Sequence, residues 1–159
     1  MKQVTMLLFL ALLASCSTSK TLTTAKETIK GEWTLQDITY SSVGTYNITL
    51  LQDASKMCFE GSTWKFVPNN NTGIYTIEDS NCSTGDRYFI FKIEEVDKEA
   101  GGYDFLLKPT DEKYKSTTNN SGFRFQLTHL DDTTMQWQQS LLVDGAPIVI
   151  YMNFSKLLK

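Results

Sequence analysis

From residue 31 onward the chain is a succession of short runs in which apolar and polar side chains alternate, the period-two pattern of strands with one buried face. The runs are rich in Val, Ile, Thr, Tyr, Phe and Trp and are broken by Gly, Asn and Asp clusters, the composition of strands joined by tight turns. They lie at 32–40, 46–51, 63–67, 74–79, 87–96, 103–108, 123–130, 134–143 and 147–154. The intervals 68–73, 98–102 and 131–133 have hairpin length, and Asp144-Gly145 is a two-residue signal for a type I′ turn. Consecutive hairpins predict an antiparallel meander.

Alternation also assigns faces. Phe123, Phe125 and Leu127 are expected inward with Arg124 in water; Phe89, Phe91 and Ile93 share an inward face, as do Trp64 with Phe66 and Tyr75 with Ile77. That pairing would set Trp64 and Phe66 opposite Ile77 and Tyr75. The last two runs are apolar on both faces: Ile148, Ile150, Met152 and Phe154 oppose Val149 and Tyr151, while Met135, Trp137 and Leu141 share a face with Gln139. Something is expected to cover them outside. Helical signal is confined to a turn or two within 24–30 and a short turn within 50–58.

The N-terminus has a different character. Lys2 precedes about ten apolar residues at 4–13, half of what a helix needs to cross roughly 30 Å of hydrocarbon, so the run reads as the core of a signal peptide. It closes on Leu13-Ala14-Ser15-Cys16, which resembles the lipobox of bacterial lipoproteins. The resemblance implies a signal peptide at 1–15, lipid (diacylglycerol and an acyl chain such as palmitate) on Cys16, and anchorage by several chains, which hold where a single chain is marginal. Residues 16–29 are small and polar and are expected to form a flexible tether, with the folded domain at 30–159. Ser17, in place of an aspartate after the cysteine, resembles lipoproteins of an outer membrane facing the periplasm; a bacterial cell envelope is the expected location.

Charge narrows the partners. The 159 residues carry 15 Lys and Arg against 18 Asp and Glu, a formal charge of −3, with no basic cluster of the kind that binds nucleic acid. The acidic cluster at 94–99 is interrupted by Lys98 and reads as a solvated turn. With Cys16 committed to lipid, Cys58 and Cys82 remain as a pair, and in an exported chain they are expected to form a disulfide. The loop it closes is worth roughly 3 kcal/mol in the chain-entropy picture. A metal site is the competing reading, but two thiols lack the further ligands of a zinc set. Either a bulge near Gly61 brings the cysteines into the hairpin ladder or Cys58 lies outside it.

Gly31-Glu32-Trp33 stands where the first strand begins and matches the Gly-x-Trp that opens lipocalin barrels. Together with the lipobox, the Ser/Thr-rich tether, the two cysteines around an Asn/Gly hairpin and strands running to the C-terminus, the chain resembles bacterial lipocalin-like lipoproteins over residues 31–154. The resemblance implies an all-β, antiparallel up-and-down barrel of about eight to nine strands, with Trp33 plugging the closed end. Two features depart from it: the only arginines are Arg87 and Arg124, so the last strand offers Lys156 where the family places an arginine on that tryptophan, and no helix follows Phe154.

Trp33, Trp64, Phe66, Tyr75, Phe89, Phe91, Phe125 and Trp137 are the candidate ligand-binding residues. They would line a cavity for a small hydrophobic or amphipathic ligand or a lipid, or else simply fill the core, where aromatics carry much of the buried area. No phosphate loop, zinc-protease helix or nucleophile elbow occurs. His129, the single histidine, precedes Asp131-Asp132 in a turn without a nucleophile at a matching distance. The expectation is a monomeric, non-enzymatic binding protein without cofactor or metal, tethered to the membrane by its N-terminal lipid. The alternative is a filled barrel that serves as a protein-interaction module of the envelope.

Overall fold

The computed structural model describes residues 20–97 and 102–158; the signal segment, Cys16 and most of the 98–102 turn lie outside them. Ten strands and two helices follow in the order α1 (Lys20–Ile29), β1 (Gly31–Tyr40), β2 (Thr49–Leu50), β3 (Ala54–Ser55), α2 (Lys56–Phe59), β4 (Thr63–Val67), β5 (Thr72–Ile77), β6 (Gly85–Asp97), β7 (Gly102–Thr110), β8 (Phe123–Leu130), β9 (Thr134–Val143) and β10 (Ala146–Lys156). Eight of the strands close an antiparallel barrel in the order β1-β10-β9-β8-β7-β6-β5-β4, which is the up-and-down arrangement expected. Asp144 and Gly145 both take positive φ, 51° and 81°, as a type I′ turn requires.

β1 closes the barrel by pairing with β10 along one edge and, over Gly31 to Thr34, with β4 along the other. Its buried positions switch from Trp33 and Leu35 to Ile38 because the register shifts between Leu35 and Asp37. That bulge turns Gln36 outward and keeps the apolar set on the inner face. Inside, Trp64, Phe66, Tyr75, Phe89, Phe91, Phe105, Phe125, Trp137 and Phe154 pack ring against ring with centroids 4.4–6.2 Å apart. An interior of eight strands is just wide enough for side chains to fill. Gly73 belongs to this packing: a Cβ there would come within 2.2 Å of Phe89 Cζ.

The two ends of the barrel are closed differently. At the end where β1 starts, α1 reaches from β1 to β6 and β8 on the far side, burying Ala25 and Ile29. Gly31, with φ +116°, makes the sharp turn from helix to strand that a side chain would resist. Two residues on, the Trp33 indole N–H donates to the Ile29 carbonyl at 2.8 Å. Lys156 Nζ lies 5.1 Å from the centre of the Trp33 ring and donates to the Thr28 carbonyl at 2.7 Å. Lysine thus occupies the place over the tryptophan, and the two side chains satisfy carbonyls that the last turn of a helix leaves unpaired.

Three expectations are corrected here. Residues 20–29, expected within the tether, are helical, since Leu22, Ala25 and Ile29 fall on one face that the barrel end covers. The run 46–51 is no barrel strand: only Thr49–Leu50 is extended, paired with Ala54–Ser55 in a separate two-stranded ladder. Trp64 stands opposite Tyr75, and Phe66 opposite Gly73, because the turn is shorter than read and β5 starts at Thr72, after Asn71 in a left-handed conformation (φ 55°).

Replacing Lys156 with methionine keeps the alkyl stem and removes the ammonium from the Trp33 face and the Thr28 carbonyl. Urea unfolding followed by tryptophan fluorescence should show a loss of about 1–2 kcal/mol, largely restored by Lys156→Arg; an unchanged midpoint would mean that the stem alone carries the contact.

Candidate functional site

At the other end, residues 41–62 run over the barrel mouth. Leu50, Leu51 and Phe59 from this segment are buried and join the core cluster, so the segment covers the mouth with apolar side chains pointing down. Cys58, in α2, is bonded to Cys82 in the β5–β6 loop, with the Cα atoms 5.8 Å apart. The disulfide is therefore formed with Cys58 outside the ladder, and it ties the cover to the rim.

At the rim, where the cover meets the barrel, the buried Tyr75 joins a partly exposed ion pair of Arg87 and Asp53. Tyr75 on β5 and Arg87 on β6 stand opposite each other in register, and alternation with Phe89 and Phe91 turns Arg87 inward. Tyr75 Oη and Arg87 Nε both donate to the same oxygen, Asp53 Oδ2, at 3.0 and 3.1 Å. The other guanidinium nitrogens donate to the carbonyls of Gly85 at 2.7 Å and Ser83 at 2.5 Å. The β5–β6 loop thus aims the guanidinium, and the cover supplies the anion. Burial, then the Asp53 charge and hydrogen bond, push the Tyr75 phenol well above its ordinary value of 10.0, with Arg87 opposing.

Asp53 reaches this position through a strained turn. Leu51 and Gln52 take φ of 54° and 58°, the left-handed region that costs an ordinary side chain roughly 1–2 kcal/mol per residue. Asp53 N–H donates to the Leu50 carbonyl at 2.9 Å to close it. Such conformations persist where the surroundings over-determine them; here the determinants are the two buried leucines and the Asp53 pair.

All eight candidate residues are buried in one core cluster; Trp33 stands opposite Trp64 across the β1–β4 seam and also packs under α1, where its indole N–H donates to the Ile29 carbonyl. The Trp64 indole N–H donates to Ser62 Oγ at 2.9 Å; the buried Trp137 Nε1 has no hydrogen-bond partner among the described residues. Asp53, Arg87, Leu50, Leu51 and Phe59 were not among the candidates. Arg87 was the legible one, since the odd positions of its run are the inward ones.

Elsewhere the chemistry is sparse. His129 Nε2 lies 2.9 Å from Asp131 Oδ2 and 3.0 Å from Thr134 Oγ1 in the exposed β8–β9 turn at the α1 end. The Thr133 and Thr134 backbone N–H groups, then the Thr133 hydroxyl and His129, hold the Asp131 carboxyl well below the usual carboxylate range, the pattern of an aspartate that staples a turn. No group of three or more His, Cys, Asp or Glu side chains among the described residues is placed to hold a metal. An open groove of about 430 Å³ runs along the outer wall over Ile90, Leu106, Lys108 and Arg124.

Among solved structures, the chain is similar to a lipocalin-like protein from Bacteroides uniformis, with a TM-score of 0.51 at 8% identity over 82% of this chain and 99% of that one. An uncharacterized protein from Bacteroides eggerthii gives a TM-score of 0.48 at 13% identity, over 80% and 98% of the two chains. No family model and no curated protein matches the sequence. The fold is that of a lipocalin-like barrel.

The raised Tyr75 phenol has a signed consequence. The unfolded chain releases this proton first, near pH 10, so the stability that the neutral phenol contributes is intact below about pH 10 and falls above it. In an alkaline titration followed by phenolate absorbance, Tyr75 should ionise only as the fold is lost, and Tyr75→Phe should delete that late component. Its ionisation with the exposed tyrosines would contradict the burial described here.

Proposed function

We propose that the chain is a lipid-anchored envelope protein whose lipocalin-like barrel binds a small hydrophobic or amphipathic molecule, a lipid included, through its mouth. The observation that carries the reading is the mouth itself: an aromatic-lined interior lies under a segment that forms no barrel strand. Non-polar rings supply contact area to an apolar ligand, and a few placed polar groups fix its orientation. The buried Trp137 N–H, without a protein acceptor among the described residues, is a further group that a ligand atom could engage.

The anchor supports the same assignment of place. With lipid on Cys16, only residues 17–19 separate the membrane from the start of α1 at Lys20, a reach of at most about 15 Å. The α1 end would then face the membrane and the mouth would face away. Ring-on-ring packing favours the second reading, a filled barrel that presents its outer wall to another envelope protein.

Two measurements bear on these readings. Titration with a bromine-labelled alkyl chain should quench tryptophan fluorescence saturably, because Trp64 and Trp137 lie beneath the cover; failure of every alkyl probe to quench would leave the interaction module as the reading. Cys16→Ala should move the protein from the membrane fraction to the soluble fraction or leave it uncleaved, and continued acylation of that variant would refute the anchor.

A further inference from the structure

The ligand-binding proposal leaves open what the ligand's polar group is and how it enters a filled barrel. Residues 50–53 bear on both. Arg87 is on an inward position at the rim with 19% of its side chain exposed, and a guanidinium so far withdrawn from water is costly unless an anion meets it. The anion that meets Arg87 comes from the cover rather than from a barrel strand: Asp53 Oδ2 receives both Arg87 Nε and Tyr75 Oη. Because the Ser83 and Gly85 carbonyls hold the rest of the guanidinium, its Nε–H edge is aimed into the mouth independently of Asp53. The pair is a preorganised receptor for one carboxylate oxygen.

What precedes that carboxylate in the chain matters equally. Leu50 and Leu51 are buried, each 4% exposed, within the same cluster as Phe59, Trp64 and Tyr75. Two alkyl side chains sunk among rings and a carboxylate on an arginine and a tyrosine reproduce, within four residues, the outline of an alkyl chain ending in a carboxylate. The segment is also built to leave. Its ladder is two residue pairs, Thr49 with Ser55 and Leu50 with Ala54, so its departure breaks no barrel strand. Leaving would relieve the left-handed strain at Leu51 and Gln52. It stays attached at both sides, by the Tyr40–Tyr46 ring contact at 4.9 Å and by the Cys58–Cys82 bond.

Resting on the ligand-binding reading above, we propose that residues 50–53 are an internal stand-in for the ligand, which is a free alkyl carboxylate. Its carboxylate takes the place of Asp53 on Arg87 and Tyr75, and its chain takes the space of Leu50 and Leu51.

The test is calorimetric titration of the disulfide-intact chain with dodecanoate and with dodecanol, which share a chain and differ in the charged head. Wild type should bind dodecanoate more tightly than dodecanol. Asp53→Asn should tighten dodecanoate at least tenfold by weakening the internal competitor, and Arg87→Gln should abolish the preference for the acid. Near-ultraviolet circular dichroism checks that each variant folds, with Arg87→Met standing in should the glutamine variant fail. Hydrogen exchange on wild type needs no variant: saturating dodecanoate should lower amide protection across 49–55. Equal binding of acid and alcohol, with no gain in Asp53→Asn, or unchanged protection of 49–55, would overturn the stand-in while leaving the broader ligand reading in place. Absence of binding by either compound to every folded protein would remove both.

Discussion

The structure depends on β1 holding two partners at once. Without the short seam from Gly31 to Thr34 against β4, the eight strands would be an open sheet with two unpaired edges and an apolar face that no second layer covers. Closure converts that face into an interior of fixed size, and the inward side chains must fill it or leave room for something else. The bulge at Gln36 is part of the same constraint, because it keeps Trp33, Leu35 and Ile38 on the inner side while β1 changes its alignment with β10.

The fixed interior explains why the ends differ so much in chemistry. At the α1 end an indole N–H and a lysine ammonium satisfy the consecutive carbonyls of Ile29 and Thr28, and the left-handed residue of the adjoining β4–β5 turn is an asparagine, Asn71, which that conformation suits. At the mouth the closing groups are two leucines on a left-handed turn and a carboxylate shared between two donors. The first end has the character of a foundation and the second that of a clasp.

Much of this was readable from residue patterns. Strand faces, the antiparallel meander, the Asp144-Gly145 turn and the Cys58–Cys82 pair follow from period-two alternation, turn chemistry and cysteine arithmetic, each of which is local, whereas closure into a barrel came only from the resemblance carried by Gly31-Glu32-Trp33. What escaped is what local rules leave undetermined. Polar composition pointed away from a helix at 20–29, although Leu22, Ala25 and Ile29 are spaced three and four apart; tertiary cover of that one face decided the matter. The alternation at 46–51 imitated a strand because Ile48 and Leu50 both turn toward the core, while the left-handed conformation at Leu51 and Gln52 has no signature in residues that are neither Gly nor Asn. Asp53 could not be recognised as a partner of Arg87 from positions 34 residues apart, since only the fold of the cover brings them together.

The disulfide between α2 and the β5–β6 loop looks like a structural staple, and it has a kinetic meaning as well. A segment that lets go of the mouth is held by the chain between β1 and β4, and the Cys58–Cys82 bond shortens that tether, so its effective concentration at the site remains on the order of millimolar, as for any short tether. A bound molecule would therefore always compete with an occupant that is never diluted. Chain continuity already makes reclosure intramolecular; the bond shortens the loop and confines the segment more closely to the mouth. On the proposed function, a ligand dilute relative to its own affinity would leave the barrel shut.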